Sequence, residues 1–168
     1  NKIGSPPVHL ADVPLNDINA AFENRLHNHG YFGAHSRYEV NIHGRKARVV
    51  FHVSPGTPHL LRSIAYGDST DTLNLRIVRE HSRSPLETGQ LYDLAKLDAE
   101  RNRVASSLRN AGWYHMKDDD LVWAADTSKG VHVMDVRLRL KRNARAKAKQ
   151  RYTLDVVRVH GDYDEALP

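Results

Sequence analysis

The pattern of hydrophobic and polar positions predicts a helix followed by a β-hairpin in the first part of the chain. Apolar residues recur there at spacings of three and four: Leu15, Ile18, Phe22 and Leu26. This spacing is typical of one face of a helix, and Gly30 is the residue type that commonly ends one. Polar and apolar residues then alternate over 37–53, which predicts two strands joined by a tight turn.

The second part of the chain carries a longer pattern in the order β-α-α-β-β. A strand is predicted at Leu60–Tyr66, a short helix capped by Asp71, and a longer helix capped by Asp93 that ends at Gly112. The predicted buried positions of the helices are Leu73, Ile77, Val78, Leu94, Leu97, Val104 and Leu108. A hairpin of Leu121–Ala125 and Val131–Leu140 completes the predicted unit.

The two parts are related by an internal repeat. The segment LHNHGYF, which contains Gly30, returns 82 positions later as LRNAGWY, which contains Gly112. A period near 80 residues is too long for common solenoid repeats and indicates small domains arranged in a row. We therefore expect units at 1–58, with its first strand missing or atypical unless residues 3–10 supply it, and at 59–142. Residues 143–168 are expected to form a basic linker and the first strand, Tyr152–Val159, of a truncated third unit.

Several of these segments resemble polypeptide-transport-associated (POTRA) domains of BamA/TamA-like outer-membrane assembly proteins. The strongest matches are LAKLDAERNRVASSLRNAGWY, at Leu94–Tyr114, and ARVVFHVSPGTPHLLRSI, at Ala47–Ile64. VWAADT at Val122–Thr127, with VMDVRLRLK and RYTLDVVRV, resembles the TamA-like lipoprotein branch. The resemblance implies an α+β fold of tandem POTRA-like β-α-α-β-β units, each with a three-stranded mixed sheet and two helices packed on one face. It also implies a soluble fragment of an outer-membrane protein at the periplasmic face of that membrane.

The function that the resemblance implies is protein interaction within the assembly of outer-membrane β-barrels. An open sheet edge can receive a partner strand by β-augmentation, in which backbone groups supply most of the contacts. The strand that enters each hairpin is the expected edge. Candidate residues are Arg37, Tyr38, Glu39, Val40, Asn41 and Ile42 in the first unit and Leu121, Val122, Trp123, Ala124 and Ala125 in the second. The expected partners are unfolded outer-membrane clients and accessory subunits; the alternative is a rigid spacer that docks accessory subunits without touching clients.

The net charge of +5 comes from one segment. Six cations lie within eleven residues: Lys141, Arg142, Arg145, Lys147, Lys149 and Arg151. Outside this segment 19 basic residues face 20 acidic ones. The first interpretation is a solvated linker, and the second is a contact with anionic lipid head groups. Nucleic-acid binding is a third alternative, which the absence of interleaved aromatic residues disfavours.

No motif in the sequence indicates catalysis. The chain has no cysteine, so thiol chemistry, disulfides and thiolate metal sites are excluded. His27-Asn28-His29 spells a nuclease-like triplet, but its place at a predicted helix end and its absence from the second copy favour a structural role over metal binding. Asp118-Asp119-Asp120 lacks the spacing of an EF-hand loop. We expect no enzymatic activity, cofactor, metal or small-molecule substrate, and we expect Trp113 and Tyr114 to fill the core.

Overall fold

The computed structural model describes residues 9–68 and 71–159. The helices are α1 (Leu15–Asn28), α2 (Thr72–Arg79), α3 (Leu94–Asn110) and α4 (Ala146–Lys149). The strands are β1 (His35–His43), β2 (Lys46–Ser54), β3 (Leu60–Tyr66), β4 (Leu121–Asp126) and β5 (Val133–Leu140). Short 3-10 turns lie at Leu10–Asp12, Glu80–Arg83 and Asp118–Asp120.

The first unit is one helix packed on a two-stranded antiparallel sheet. Strands β1 and β2 pair from His35 opposite Ser54 to His43 opposite Lys46, and α1 lies against β1. The Phe22 ring of α1 meets Phe51 of β2 edge-on, with 5.3 Å between the ring centroids. Between residues 9 and 58 only Gly30 and Ala34 are fully buried, so this unit has almost no closed core. Most of the proposed opening strand, residues 3–10, lies outside the described residues.

The second unit has a mixed three-stranded sheet in the order β3-β5-β4. Strand β3 runs parallel to β5, and β4 runs antiparallel to it. Met134, Val136 and Leu138 alternate along β5 and point into one buried cluster with side chains of α2 and α3. Both helices therefore cover the same face of the sheet, and the predicted α+β fold class is confirmed.

Helices α2 and α3 of the second unit are capped by the residues that the sequence predicts. The Asp71 carboxylate accepts a hydrogen bond from the backbone N–H of Asn74, and that of Asp93 accepts from Ala95 and Lys96. Acidic caps of this kind satisfy backbone donors that a helix cannot pair internally. Two of the predicted buried positions differ from the prediction, since Val78 is 44% exposed and Leu94 is 37% exposed.

A buried ionic network joins the two helices of the second unit to its sheet. The guanidinium of Arg103 binds Glu100 at 2.7 Å and Glu80 at 2.9 Å, and both glutamates are 1% exposed. The Ser107 hydroxyl donates to Glu80 at 2.7 Å, and the Tyr66 hydroxyl of β3 donates to Glu100 at 2.7 Å. Burial alone would raise the pKa of Glu80, but the bonds from Ser107 and Arg103 outweigh it and hold that pKa below its usual value. The network links α3 to the turn that follows α2 and to β3.

An equivalent backbone hydrogen bond occurs in both units. It joins the glycine that follows α1 or α3 to the segment that follows the hairpin of the same unit. The His59 N–H donates to the Gly30 carbonyl at 2.9 Å, and the Tyr152 N–H donates to the Gly112 carbonyl at 2.7 Å. Both glycines have a positive φ, +89° and +103°, the conformation in which glycine commonly ends a helix. At Gly30 this bond joins the two units, because His59 leads directly into β3.

Three further predictions from the sequence are wrong. Residues 152–159 form no strand, because no backbone in the described ranges pairs with residues 153–159; the rest of the predicted third unit lies outside the described residues. Ala47 and Val53 lie on the apolar side of the alternating pattern of β2, which predicts that they are buried, yet both are exposed. Trp113 is buried as expected, but Tyr114 is 70% exposed.

Candidate functional site

Strand β4 lies at an edge of the second sheet, and its pairing fixes which backbone groups point outward. The Lys141 N–H donates to the Asp120 carbonyl at 2.8 Å, which makes that pair a hydrogen-bonded position of the antiparallel ladder. Bonded and non-bonded positions alternate along such a ladder. Residues 122, 124 and 126 therefore bond to β5, while the N–H and C=O groups of Leu121, Trp123 and Ala125 point away from it.

An independent contact on β5 supports this register. The Leu138 carbonyl accepts from the Gly67 N–H at 2.8 Å, on the side of β5 that faces β3. Leu138 is opposite Trp123, so that pair is a non-bonded position of the β4–β5 ladder. No backbone hydrogen bond from the described residues reaches the outer groups of β4. Among the described residues the edge at 121–125 has no backbone partner, and three of the five predicted residues, Leu121, Trp123 and Ala125, present their backbone groups to it.

The opposite edge of the same sheet is covered. The Leu61 N–H donates to the Gln90 carbonyl at 2.9 Å, and the Leu61 carbonyl accepts from the Gly89 N–H at 2.7 Å. A single bridge between Leu60 and Leu91 extends this contact. The loop before α3 thus blunts the edge of β3, as native proteins commonly do, and leaves β4 as the available edge of this sheet.

Helix α1 covers the beginning of the β1 edge. The backbone N–H of Ser36 donates to the Glu23 carboxylate at 2.6 Å, and the Ser36 carbonyl accepts from the Asn19 amide at 3.0 Å. Since alternate residues point the same way, the outward groups further along are those of Tyr38, Val40 and Ile42. Among the described residues nothing bonds to those groups. The other predicted residues, Arg37, Glu39 and Asn41, direct their backbone groups toward β2.

The outer edge of β2 is also without a strand partner in residues 9–68 and 71–159. In the second unit the equivalent edge, that of β5, is occupied by the parallel strand β3. The two-stranded sheet of the first unit therefore has one more open edge than the three-stranded sheet of the second.

The basic segment contacts the second unit through Arg145, Ala148 and Arg151, although most of its residues are exposed. Arg145 forms an ion pair with Asp120, 2.6 Å between Nη2 and Oδ2, and Ala148 of α4 is fully buried. The Arg151 guanidinium lies over the Trp113 ring, 5.6 Å from its centroid, and its Nε donates to the Ala111 carbonyl at 3.1 Å. These contacts were hidden in the sequence because the acid and the aromatic ring are 25 or more residues away from their partners. Five of the segment's six cations have no acidic partner in the described ranges: Lys141, Arg142, Lys147, Lys149 and Arg151.

The covered edges were also missed by sequence reasoning. Asn19 and Glu23 lie one turn apart on α1. This spacing was the one sequence signal for their hydrogen bonds to the backbone of Ser36. No comparable signal marks Gln90, because a loop that pairs with a strand through backbone groups has no required side chains.

Within the described residues no group of three His, Asp or Glu side chains is placed to hold a metal ion. His29 binds Asp93 at 3.2 Å, which places part of the histidine triplet at the contact between the units. In the same part of the chain no helix combines the length and apolar character needed to cross a membrane.

Comparison with known proteins gives structural neighbours only. No family model matches the chain, and no curated protein matches it. Similar solved structures include BamA POTRA domains 3–5 of Haemophilus influenzae, with 14% identity, a TM-score of 0.42, and coverage of 80% of this chain and 51% of that one. Another is BamA of Haemophilus ducreyi lacking POTRA domains 1–3, with 16% identity, a TM-score of 0.48, and coverage of 80% of this chain and 24% of that one. The chain thus spans about half the length of the first and about a quarter of the second.

Proposed function

We propose that this chain is a periplasmic protein-interaction module of an outer-membrane β-barrel assembly protein, and that it receives a partner strand at the edge of β4. The observation that carries the proposal is the open edge formed by the outward backbone groups of Leu121, Trp123 and Ala125. Its context is the resemblance of Leu94–Tyr114 and Ala47–Ile64 to POTRA sequences.

The edge of β4 fits binding of many different strands. Backbone N–H and C=O groups are common to all sequences, so a strand that pairs with them meets little sequence demand. Neighbouring side chains contribute modest apolar surface, since Val122, Trp123 and Ala124 are half-buried and Ala125 is exposed. Such a surface favours reversible binding over permanent association, as a client receptor requires.

A proline scan of β4 tests the proposal. Proline removes an N–H donor, and edge strands tolerate it where that donor faces solvent. Ala125→Pro should therefore keep the fold and weaken binding of a peptide with the alternating pattern of a membrane barrel strand. We expect roughly a tenfold loss of affinity, because one backbone bond is removed and the ring obstructs its neighbours. Peptide binding is measured by NMR shifts of the backbone amides.

Two variants serve as matched controls. Ala125→Ser changes the side chain and keeps the donor, so it should bind as the wild type does. Ala124→Pro removes a donor that bonds to β5, so it should destabilise the hairpin instead. Shifts limited to residues 121–126, and lost in Ala125→Pro, support the proposal. If the peptide leaves every amide unshifted, the edge is not a receptor and the spacer alternative remains.

A further inference from the structure

A groove with positive walls lies between α2 and the basic segment, away from the edge of β4. Two adjoining depressions of about 240 and 540 Å³ share Thr72, Trp113 and Arg151 in their walls. Helix α2 forms one wall with Leu75 and Arg79.

The cations of this groove come from parts of the chain that are far apart in sequence. Arg79 belongs to α2, whereas Lys149 and Arg151 follow β5. Neither Arg79 nor Lys149 has an acidic partner among the described residues, and Arg151 uses only its Nε in a hydrogen bond there. Arg76 also lines the groove, but its Nη2 is paired with Glu80 at 3.1 Å. Asp71 is the acid in the wall, so the described side chains leave an excess of positive charge.

The groove also offers apolar surface. Leu75 of α2 directly precedes Arg76 in the sequence, and its side chain is 47% exposed. On the other side, the indole of Trp113 lies beneath the Arg151 guanidinium and leaves that group's Nη atoms free of partners in the described ranges. A guanidinium placed over a ring keeps its remaining N–H donors available to bind a carboxylate.

We propose that this groove binds an acidic peptide segment of a partner protein. Its carboxylates would pair with Arg79, Lys149 and Arg151, and one apolar side chain would cover Leu75. The proposal is independent of strand binding at β4, since none of the four residues belongs to that edge. It also assigns a binding role to α2, whereas the sequence analysis predicts only that this helix packs on the core.

The shape of the surface favours a peptide over a membrane. A bilayer is flat and attracts cations that project from the protein. Arg142 and Lys147 are exposed and lie outside the groove walls, so a membrane would engage them at least as well as Arg79 and Lys149. A peptide that enters the groove would contact Arg79 and Lys149 but not Arg142 and Lys147.

The test compares two double charge reversals in the whole chain. The groove variant is Arg79→Glu with Lys149→Glu, and its matched control is Arg142→Glu with Lys147→Glu, which changes the net charge by the same amount. The probe is an acetylated peptide with a single leucine between pairs of glutamates, and binding is measured by calorimetry at physiological ionic strength, where the screening length is about 8 Å. Circular dichroism and thermal melts establish that both variants fold. A parallel arm uses vesicles that contain phosphatidylglycerol.

We expect the groove variant to lose roughly tenfold or more in peptide affinity and the control less than about twofold, because exposed charge pairs act at short range. The same peptide with leucine replaced by serine should also bind more weakly. Equal losses in the two variants would overturn the proposal by showing non-specific attraction. Binding to the vesicles with no binding to the peptide would overturn it in favour of a membrane contact. Undetectable binding of the peptide to the wild-type chain would overturn it as well.

Discussion

The Tyr152 N–H donates to the carbonyl of Gly112 at 2.7 Å, and this close approach leaves no room for a side chain on Gly112. A Cβ atom on Gly112 would lie 2.9 Å from the Tyr152 carbonyl oxygen and 3.1 Å from Cγ of Arg151. Gly30 has the same surroundings, since its Cβ would lie 3.0 Å from Tyr92 and 3.3 Å from the carbonyl of His59. In both copies of the repeat, glycine is therefore required by a positive φ and by a close backbone contact.

Replacing Gly112 should release the basic segment from the second unit. We expect Gly112→Ala to destabilise the chain by about 2 kcal/mol, because strain at positive φ costs roughly 1 kcal/mol or more and the collision with Tyr152 adds to it. Gly89→Ala is the matched control, since Gly89 also has a positive φ, +84°, but open space around its Cα. Urea denaturation of the two variants measures the difference. Equal losses of stability would show that the contact with Tyr152 contributes nothing.

The helix ends were predictable because local rules determine them. Gly30, Gly112, Asp71 and Asp93 were placed correctly from residue type and spacing alone, since each acts on backbone groups within a few residues of its own position. The hydrophobic faces of α1 and α3 follow from the same short-range periodicity.

The accessible parts of the candidate site could not be predicted in the same way. Whether a strand edge is open depends on loops and side chains that are distant in sequence, such as Gln90 beside β3 and Glu23 beside β1. The position of Arg145 depends on Asp120, and that of Arg151 on Trp113. The same limit explains the failed prediction for Tyr152–Val159, because an apolar alternating segment becomes a strand only when a partner supplies hydrogen bonds.

Removing Arg103 should cost more stability than removing any exposed cation. Glu80 and Glu100 are both 1% exposed, so Arg103→Met would leave buried carboxylates without their main partner. We expect a loss of about 3–5 kcal/mol in the free energy of unfolding, measured by urea denaturation. Arg101→Met is the control on the same helix, where the pair with the more exposed Asp98 should contribute less than about 1 kcal/mol.

A second substitution distinguishes charge from packing in this network. Adding Glu100→Gln to Arg103→Met removes one of the unpaired charges, so part of the lost stability should return. If the double variant is less stable than Arg103→Met alone, the unpaired charge of Glu100 is not the cause of the loss.

Because of the contact between Asp120 and Arg145, the free energy of unfolding should decrease as the pH falls into the acid range. Burial alone would raise the pKa of Asp120, but hydrogen bonds from Arg145 and from the Lys117 N–H outweigh it and lower that pKa. A carboxyl whose pKa is lower in the folded state stabilises the protein above its unfolded pKa of about 3.9, and this contribution is lost as the pH falls through the folded value. Asp120→Asn should therefore be less stable than the wild type at pH 7, with a difference that shrinks below about pH 4. Asp118→Asn, in the same turn but 42% exposed, should show a much smaller difference at both pH values.

The two units should differ in how readily they open. All residues of the buried apolar cluster lie between 61 and 148, whereas the first unit relies on partly exposed contacts such as that of Phe22, 38% exposed, with the half-buried Phe51. Buried apolar contacts determine which parts of a protein resist local opening. Backbone amides of β1 and β2 should therefore exchange with deuterium earlier than those of β5, although both sets are hydrogen-bonded in ladders.

Matched substitutions make this difference between the units measurable. Leu108→Ala removes a fully buried side chain and should cost about 2–5 kcal/mol and speed exchange throughout the second unit. Phe51→Ala removes a half-buried ring, so it should cost less in global stability and speed exchange in β1 and β2 while leaving β5 protected. The contrary result, uniform exchange in both units and an equal effect of the two substitutions, would mean that the units unfold as one body. The contact of Gly30 with His59 would then transmit stability across the junction, and the weak core of the first unit would not set its own rate of opening.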